Sequence, residues 1–458
     1  MRKLSLLALL FSLLAFASCE RTSPVIPRQI ATSTSASDHP TSTSQSDSLG
    51  KIAYIQGGDI WVNELPDGTP MRLTNDGANG APHWSPSGEW LTFTRGAGGP
   101  WVMRVDGGSS HAVNEGGSVY SSLSWSPVAD RLAYVTESGA LAIEDADGSN
   151  RRELVPPSDR RTGNAFQIAW SPDGEWLAFD REEWTYEKVG TGKGQIPGRT
   201  ASLWRVQAGG DEAIQLYNMG SPSRDGIILV DWTPDSRSIL FWPRLSFSVS
   251  VVADGLPLHI ISASGGEPRK LDAWTLRFSD FLDASSDGRL LAITEGSGRE
   301  TWTRKRIAVL DIASGTRTYL TDSSEAAFSP AWSPDGGRIV YVAGPDIGAV
   351  GGGNEAKVGA GQRRLWVMQR DGSDKRQLTN DPAYRDERPQ WSNDGTRILF
   401  ARLNAEGDRA SLWLVSGEGG TPEPVVDELS PSSPPASWFG YYGHINWAGF
   451  FDWWRAPA

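Results

Sequence analysis

The stretch AWSPDG occurs at Ala169–Gly174 and again, letter for letter, at Ala331–Gly336. A catalytic motif is normally needed once in a chain, whereas a motif that recurs indicates a structural unit that has been copied. Within the motif, proline presets φ at the second position of a turn, aspartate tolerates the third, and glycine takes the positive φ that follows. The hexapeptide therefore predicts a hairpin turn, with Trp170 at the end of the strand that enters it.

Seven variants of this strand–turn–strand unit run through the chain, and they begin 41 to 62 residues apart. They read HWSPSGEWLTF (83–93), SWSPVADRLAY (124–134), AWSPDGEWLAF (169–179), DWTPDSRSILF (231–241), DASSDGRLLAI (283–293), AWSPDGGRIVY (331–341) and QWSNDGTRILF (390–400). The tryptophan before the turn is Trp84, Trp125, Trp170, Trp232, Trp332 or Trp391, and Ala284 replaces it in the fifth copy. A unit of about 40–50 residues with variable loops is typical of a β-propeller blade.

Two further strands follow each copy, so that every unit reads as a four-stranded antiparallel meander with strands a, b, c and d. Examples of strand c are WVMRV (101–105) and LWVMQR (365–370), and examples of strand d are RTYLTD (317–322) and KRQLTND (375–381). These motifs resemble the WD40-like, TolB-type propeller repeat, also known as the PD40 repeat, over residues 51–447. The resemblance implies an all-β fold, a single β-propeller of four-stranded blades, and an exported protein of the bacterial cell envelope.

The two ends of the repeat region predict how the ring closes. The stretch from Lys51 reads as strands b, c and d without a strand a, and Gly443–Trp447 reads as a strand a without its turn. If the N-terminal strands pair with this C-terminal strand, Trp447 becomes the last tryptophan of the repeat and the propeller has eight blades. Seven blades remain possible if the C-terminal segment is only a plug or a helix. Closure removes the free sheet edges that would otherwise pair with other chains.

The N-terminus reads as an export signal followed by a tether. Arg2 and Lys3 precede an apolar run, Leu4–Phe16, that is too short to span a bilayer, and the segment ends at Cys19, the single cysteine. Phe16–Cys19 resembles the lipobox of bacterial lipoproteins, which implies cleavage after residue 18 and lipidation of Cys19. We therefore expect a signal peptide (1–18), a lipidated, disordered Ser/Thr-rich tether (19–50) and a propeller (51–458). The alternative is a plain secretory signal.

The longest insertions of the repeat all fall between strands b and c, at residues 180–202, 243–257 and 344–364. In a meander the b–c and d–a loops share one face of the ring, and long loops on one face of a rigid scaffold are the usual place for a binding site. Mixed charges and aromatics there suit a polar partner, and the candidate partner-binding residues are Arg181, Glu182, Glu183, Trp184, Tyr186, Tyr384, Arg385, Asp386, Glu387 and Arg388. The Gly-rich insertion 348–362 is expected to be mobile.

Catalytic motifs are absent from the sequence. It contains no Gly-x-Ser-x-Gly elbow and no His-Glu-x-x-His pair, and its net charge of −12 disfavours nucleic acid as a partner. We therefore expect a non-enzymatic protein without a cofactor or metal, held at the membrane by its lipid anchor only, whose propeller binds a protein or a glycan. The alternative is a metal-dependent polysaccharide lyase or hydrolase, because oligogalacturonate lyases also resemble this repeat and use a His-ligated metal.

Overall fold

The computed structural model describes residues 48–455 apart from 97, 115–118, 158–163, 189–194, 211, 221–225, 245–252, 349–350 and 432–437. This part of the chain forms eight four-stranded antiparallel sheets, which are the eight blades of one β-propeller. The prediction of an all-β, eight-bladed ring is thus confirmed. Among the described residues, no helix has the length and apolar character needed to cross a bilayer.

Seven blades take four consecutive strands each, in the order a, b, c, d. Blades 2 to 4 comprise β4 (Asn79–Trp84), β5 (Trp90–Arg95), β6 (Pro100–Arg104) and β7 (Ser110–Ala112); β8 (Val119–Trp125), β9 (Arg131–Thr136), β10 (Leu141–Asp145) and β11 (Arg152–Val155); and β12 (Asn164–Trp170), β13 (Trp176–Lys188), β14 (Gln195–Gln207) and β15 (Ile214–Asn218). Blades 5 and 6 comprise β16 (Gly226–Trp232), β17 (Ser238–Arg244), β18 (Leu256–Ser262) and β19 (Arg269–Thr275); and β20 (Leu282–Ala284), β21 (Leu290–Glu295), β22 (Arg306–Asp311) and β23 (Arg317–Tyr319). Blades 7 and 8 comprise β24 (Glu325–Trp332), β25 (Arg338–Pro345), β26 (Arg364–Gln369) and β27 (Arg376–Gln377); and β28 (Tyr384–Trp391), β29 (Arg397–Asn404), β30 (Ala410–Ser416) and β31 (Glu423–Leu429).

Blade 1 combines both ends of the folded chain. It consists of β1 (Gly50–Gln56), β2 (Asp59–Leu65), β3 (Met71–Arg72) and, as its strand a, β32 (Phe451–Trp454). In its register Trp453 pairs with Ile52, just as Trp84 pairs with Leu91 in blade 2. Trp453 therefore occupies the position of the repeat tryptophan.

The predicted closing strand, Gly443–Trp447, was placed wrongly. Trp447 begins a short 3-10 helix (Trp447–Gly449), and the chain around it turns at Gly440 and Gly443, which have φ values of +73° and +82°. A left-handed backbone at both glycines cannot continue an extended strand. This segment folds over one end of the ring instead, and the strand follows it.

The repeated turn forms as its sequence predicts. In the copy at Ala169–Gly174, Gly174 has φ +71° and its N–H donates to the carbonyl of Ser171 at 2.8 Å. The Ser171 hydroxyl accepts the N–H of Trp176 at 2.9 Å and bonds to Asp173. Serine, aspartate and glycine in this order thus close the hairpin through local hydrogen bonds.

Apolar side chains from adjacent blades form the core, and the repeat tryptophans pack within it. Trp84, Trp170 and Trp332 are all less than a tenth exposed, and each belongs to a cluster that joins two neighbouring sheets. In blades 2, 3, 4, 5, 7 and 8, the indole N–H of the repeat tryptophan donates across the seam to the carbonyl of the residue just before the repeat position of the previous blade, and that position is Ala284 instead of tryptophan in blade 6. The donors and acceptors are Trp84 to Asp452, Trp125 to His83, Trp170 to Ser124, Trp232 to Ala169, Trp332 to Asp283 and Trp391 to Ala331.

The b–c and d–a connections lie on one face of the ring, here called the b–c face. Several of them contain regular secondary structure instead of the expected loops. Residues 180–202 belong mostly to a long hairpin, because β13 and β14 remain paired from Trp176–Gln207 to Lys188–Gln195. The insertion expected to be mobile, 348–362, contains the helix α1 (Asn354–Gly361), whose Ala356 and Ala360 are buried. A second 3-10 helix, Ser279–Phe281, lies on the d–a connection into blade 6.

Candidate binding face

Three of the predicted partner-binding residues at the start of blade 8 are inside the protein. Arg385, Asp386 and Glu387 are at most 7% exposed. Asp386 accepts two hydrogen bonds from Arg402, at 2.7 and 3.1 Å, and Glu387 accepts from both Arg363 and Arg385. The prediction that these three side chains meet a partner is wrong, because the C-terminal segment contacts Arg385 and Glu387 and Arg402 binds the Asp386 carboxylate. Tyr384 and Arg388 remain partly exposed.

The predicted residues of blade 4 divide in the same way. Glu182 is buried and forms a 2.6 Å ion pair with Arg244 of blade 5, so it does not face a partner. Arg181 and Glu183 are partly exposed. Trp184 and Tyr186 lie on the hairpin of β13 and β14, and their side chains fall outside the described residues. A partner contact at Arg181, Glu183, Trp184, Tyr186, Tyr384 or Arg388 stays a prediction.

The segment 438–450, here called the cap, lies on the b–c face over blades 6 to 8. His444 is buried and its Nε2 lies 2.9 Å from Asp280 of the connection into blade 6, while its ring stacks on Phe278. The carbonyl of Gly443 accepts from Arg363 at 2.6 Å, and the Trp447 indole donates to Glu387 at 3.0 Å. The cap is thus tied to three separate elements.

The two buried carboxylates that contact the cap, Asp280 and Glu387, interact strongly with neighbouring charges. Burial alone would raise the pKa of Asp280, but the charge and hydrogen bond of His444, with Arg388 and Ser329, hold that pKa well below its usual range. Burial likewise acts to raise the pKa of Glu387, and Arg385 and Arg363 outweigh it and lower the pKa. Both carboxylates are therefore ionised in the folded protein at neutral pH.

Every large aromatic side chain that the structure describes as exposed lies on the b–c face. These are Trp274 (37% exposed), Tyr319 (36%), Tyr441 (48%) and Tyr442 (37%), here called the aromatic sector. Trp274 and Tyr319 are at the ends of strands d of blades 5 and 6, and the two other tyrosines project from the cap. Exposed tryptophan and tyrosine with nearby arginine are enriched at the centres of protein interfaces.

A cleft of about 560 Å³ runs beside Trp274 and Tyr319, at the outer end of the aromatic sector. The guanidinium of Arg306 lies 3.6 Å from the centre of the Tyr319 ring, and the Tyr319 hydroxyl donates to Glu295 at 2.9 Å. The remaining polar lining includes Arg304, Glu325 and Asp346. The cleft therefore offers aromatic surfaces, guanidinium donors and carboxylate acceptors side by side.

The loop that forms one wall of this cleft, residues 296–304, is fixed by a buried lysine. Lys305 is 1% exposed, and its ammonium donates to the carbonyls of Ser297, Gly298 and Thr303 at 2.9 to 3.4 Å. Burial lowers the pKa of Lys305 to about 8, although the negative charges of Glu300, Asp346 and Glu295 act to raise it. This wall of the cleft is thus an ordered loop.

Sequence reasoning pointed to the b–c face but did not identify the aromatic sector on it. Trp274 and Tyr319 lie near the ends of strands d, and in sequence they look like ordinary strand residues. Their position in the repeat was the available clue, because strand d ends on the same face of the ring as the b–c loops. Among the described residues, no group of three or more His, Cys, Asp or Glu side chains is arranged to hold a metal ion.

Parts of the chain are similar in sequence to TolB proteins. The chain is 37% identical over 78 residues to the Tol-Pal system protein TolB of Rhizorhabdus wittichii, a match that covers 17% of each chain. It is 32% identical over 132 residues to TolB of Anaeromyxobacter dehalogenans, which covers 22% of this chain and 29% of that relative. The matches thus span less than a third of the relatives' length. No protein-family model matches the sequence.

Two solved structures are similar to this chain at low sequence identity. Dipeptidyl peptidase 4 of Porphyromonas gingivalis superposes with a TM-score of 0.56 at 10% identity, over 86% of this chain and 62% of that one. TolB from Acinetobacter baumannii has a TM-score of 0.33 at 16% identity, over 71% of this chain and 62% of that one. The first of these likenesses supports the fold alone. With the repeat motifs, the eight blades and the TolB sequence matches together, the chain is a TolB-like β-propeller.

Proposed function

We propose that this protein is a non-catalytic protein of the bacterial cell envelope, lipid-anchored through Cys19, that binds another protein through its b–c face. The observation that carries the proposal is the aromatic sector, because all four exposed large aromatic side chains of the described residues lie on that one face. Exposing several aromatic rings to water on one side of a rigid ring is unfavourable unless a partner covers them.

Two further features support a macromolecular partner. The cap and the loop 296–304 hold the surface in place, and a preorganised surface loses less conformational entropy on binding. The relatives with matching sequence are named as components of the Tol-Pal system, which favours an envelope location and a protein partner for this chain as well.

Site-specific photo-crosslinking in the bacterial host tests the binding face. A photoreactive phenylalanine derivative would replace Trp274, Tyr319 or Tyr441 in turn, and in a control it would replace Val128, which is 60% exposed in an a–b turn on the opposite face. We expect a discrete crosslinked protein species from the three b–c face positions and none from Val128. Adducts formed equally at Val128, or adducts that resist protease and stain as carbohydrate, would overturn the proposal of a protein partner at this face.

Fractionation tests the anchor separately. The wild-type protein is expected in the membrane fraction, and the Cys19→Ser variant is expected in the soluble envelope fraction, because the thioether to the lipid cannot form without the thiol. Membrane association that persists in Cys19→Ser would contradict lipid anchoring, and it would leave the crosslinking result unaffected.

A further inference from the structure

One carboxylate in the cleft beside Trp274 has no partner among the residues that the structure describes. Glu325, the first residue of β24, lines this cleft and is partly buried, and no described residue forms a hydrogen bond or an ion pair with its carboxylate. Burial raises the pKa of Glu325, the exposed Lys375 acts to lower it, and the exposed Asp322 acts to raise it further. A carboxylate that loses water without gaining a donor is unfavourable in the free protein, and a cation from outside would relieve that cost.

The other charged side chains that line the cleft form two balanced sets. Glu295 lies 4.0 Å from Arg306, and Asp346 accepts the backbone N–H of Arg304 at 2.7 Å, which holds these two residues side by side. The two arginines therefore carry as much charge as the two carboxylates. The negative charge of Glu325 is left in excess, so the cleft suits a cation better than an anion.

The two aromatic rings of the cleft differ in whether they already hold a cation. The guanidiniums of Arg306 and Arg317 lie 3.6 and 4.6 Å from the centre of the Tyr319 ring, and Arg317 also pairs with Asp272 at 3.4 Å. Trp274 is 37% exposed, and no cation among the described residues lies over its ring. Tryptophan is the aromatic side chain that attracts cations best. Its ring is therefore the place at which the cleft can accept a further positive charge.

We propose that this cleft binds a lysine or arginine side chain of the protein partner, with Glu325 as the counter-ion and the Trp274 ring as the surface on which that side chain packs. The site rests on the proposed function and names the chemistry of the partner at this face. A lysine or arginine fits both features, because its aliphatic stem packs on a ring while its charged end binds a carboxylate. The net charge of −12 also favours encounter with a basic partner.

Short peptides test the site without knowledge of the natural partner. Fluorescence anisotropy would measure how the full chain binds labelled tetralysine, tetraglutamine and tetraglutamate peptides at about 150 mM salt, which screens distant charges. We expect tetralysine to bind most tightly, and we expect Glu325→Gln to weaken its binding about tenfold, as the loss of one charge-assisted interaction requires. Trp274→Leu should weaken it about threefold, because the cation loses its ring. The matched control is Glu175→Gln, which removes the same charge from an exposed turn on the opposite face and should change binding by less than about twofold.

Thermal unfolding separates loss of binding from loss of structure. Because Glu325 has no described partner, Glu325→Gln should melt at the temperature of the wild type or above it. Three results would each overturn the site: tetralysine binding no tighter than that of the other two peptides, equal effects of Glu325→Gln and Glu175→Gln, or a markedly lower melting temperature of Glu325→Gln. Crosslinking at Tyr441 does not depend on Glu325, so the proposed function would stand if only this site failed.

Discussion

Trp84 and Asp452, which are 368 residues apart, bind each other twice across the seam between blades 2 and 1. The Trp84 backbone N–H donates to the Asp452 carboxylate at 2.8 Å, and the Trp84 indole donates to the Asp452 carbonyl at 3.1 Å. Asp283 and Trp332 make the same two contacts between blades 6 and 7. The seam that closes the ring therefore uses the same local chemistry as a seam within it.

Removing the carboxylate at either seam should cost similar stability. Asp452→Ala leaves the N–H of Trp84 without its acceptor, and Asp283→Ala does the same to Trp332, so each should lower the free energy of unfolding by about 1–3 kcal/mol. Urea denaturation followed by tryptophan fluorescence measures the change. The exposed Asp106, in the turn after β6, serves as the control, and Asp106→Ala should change stability by less than about 0.5 kcal/mol. Wild-type stability in Asp452→Ala would show that this contact does not hold the ring closed.

Two glutamates that each bind two arginines should differ greatly in their contribution to the free energy of unfolding. Glu387 is buried between Arg363 and Arg385, whereas Glu418, between Arg338 and Arg376, is 76% exposed. Glu387→Gln removes the counter-charge of two buried guanidiniums and should lower the free energy of unfolding by about 3–5 kcal/mol. Glu418→Gln should lower it by less than about 1 kcal/mol, because solvent screens that pair. Equal effects in chemical denaturation would show that burial of Glu387 does not increase its contribution to stability.

Stability should fall in acid partly through Asp280. His444, Arg388 and Ser329 hold the pKa of this carboxyl below its unfolded value against the effect of burial, so its ionised form stabilises the fold. That stabilisation is present above about pH 4 and is lost as the pH falls through the lower pKa of the folded state. Asp280→Asn should therefore melt below the wild type at pH 6, and the difference should shrink as the pH falls below about 4. A difference that is constant between pH 6 and pH 3 would show that the ionisation of Asp280 does not matter.

The sequence predicted the parts of the fold that local chemistry decides. The turn at Ser171–Gly174 closes through its own serine, aspartate and glycine, the other copies use variants of the same groups, and each strand follows from alternating apolar residues. The number of repeats then gave eight blades, and the connectivity of a meander placed the b–c and d–a connections on one face of the ring. The closing strand was missed because β32 has no turn motif beside it, so spacing alone did not separate Trp447 from Trp453.

What the sequence determined by itself is the blade, since one copy of the repeat contains all the hydrogen-bonding groups of its own hairpins. Only the tertiary structure decided which polar residues are available to a partner. Arg385 and Glu387 are buried under a cap that comes more than fifty residues later, while Trp274 stays exposed on the same face. Burial depends on which distant segments of the chain pack together, and a local sequence pattern does not specify that packing.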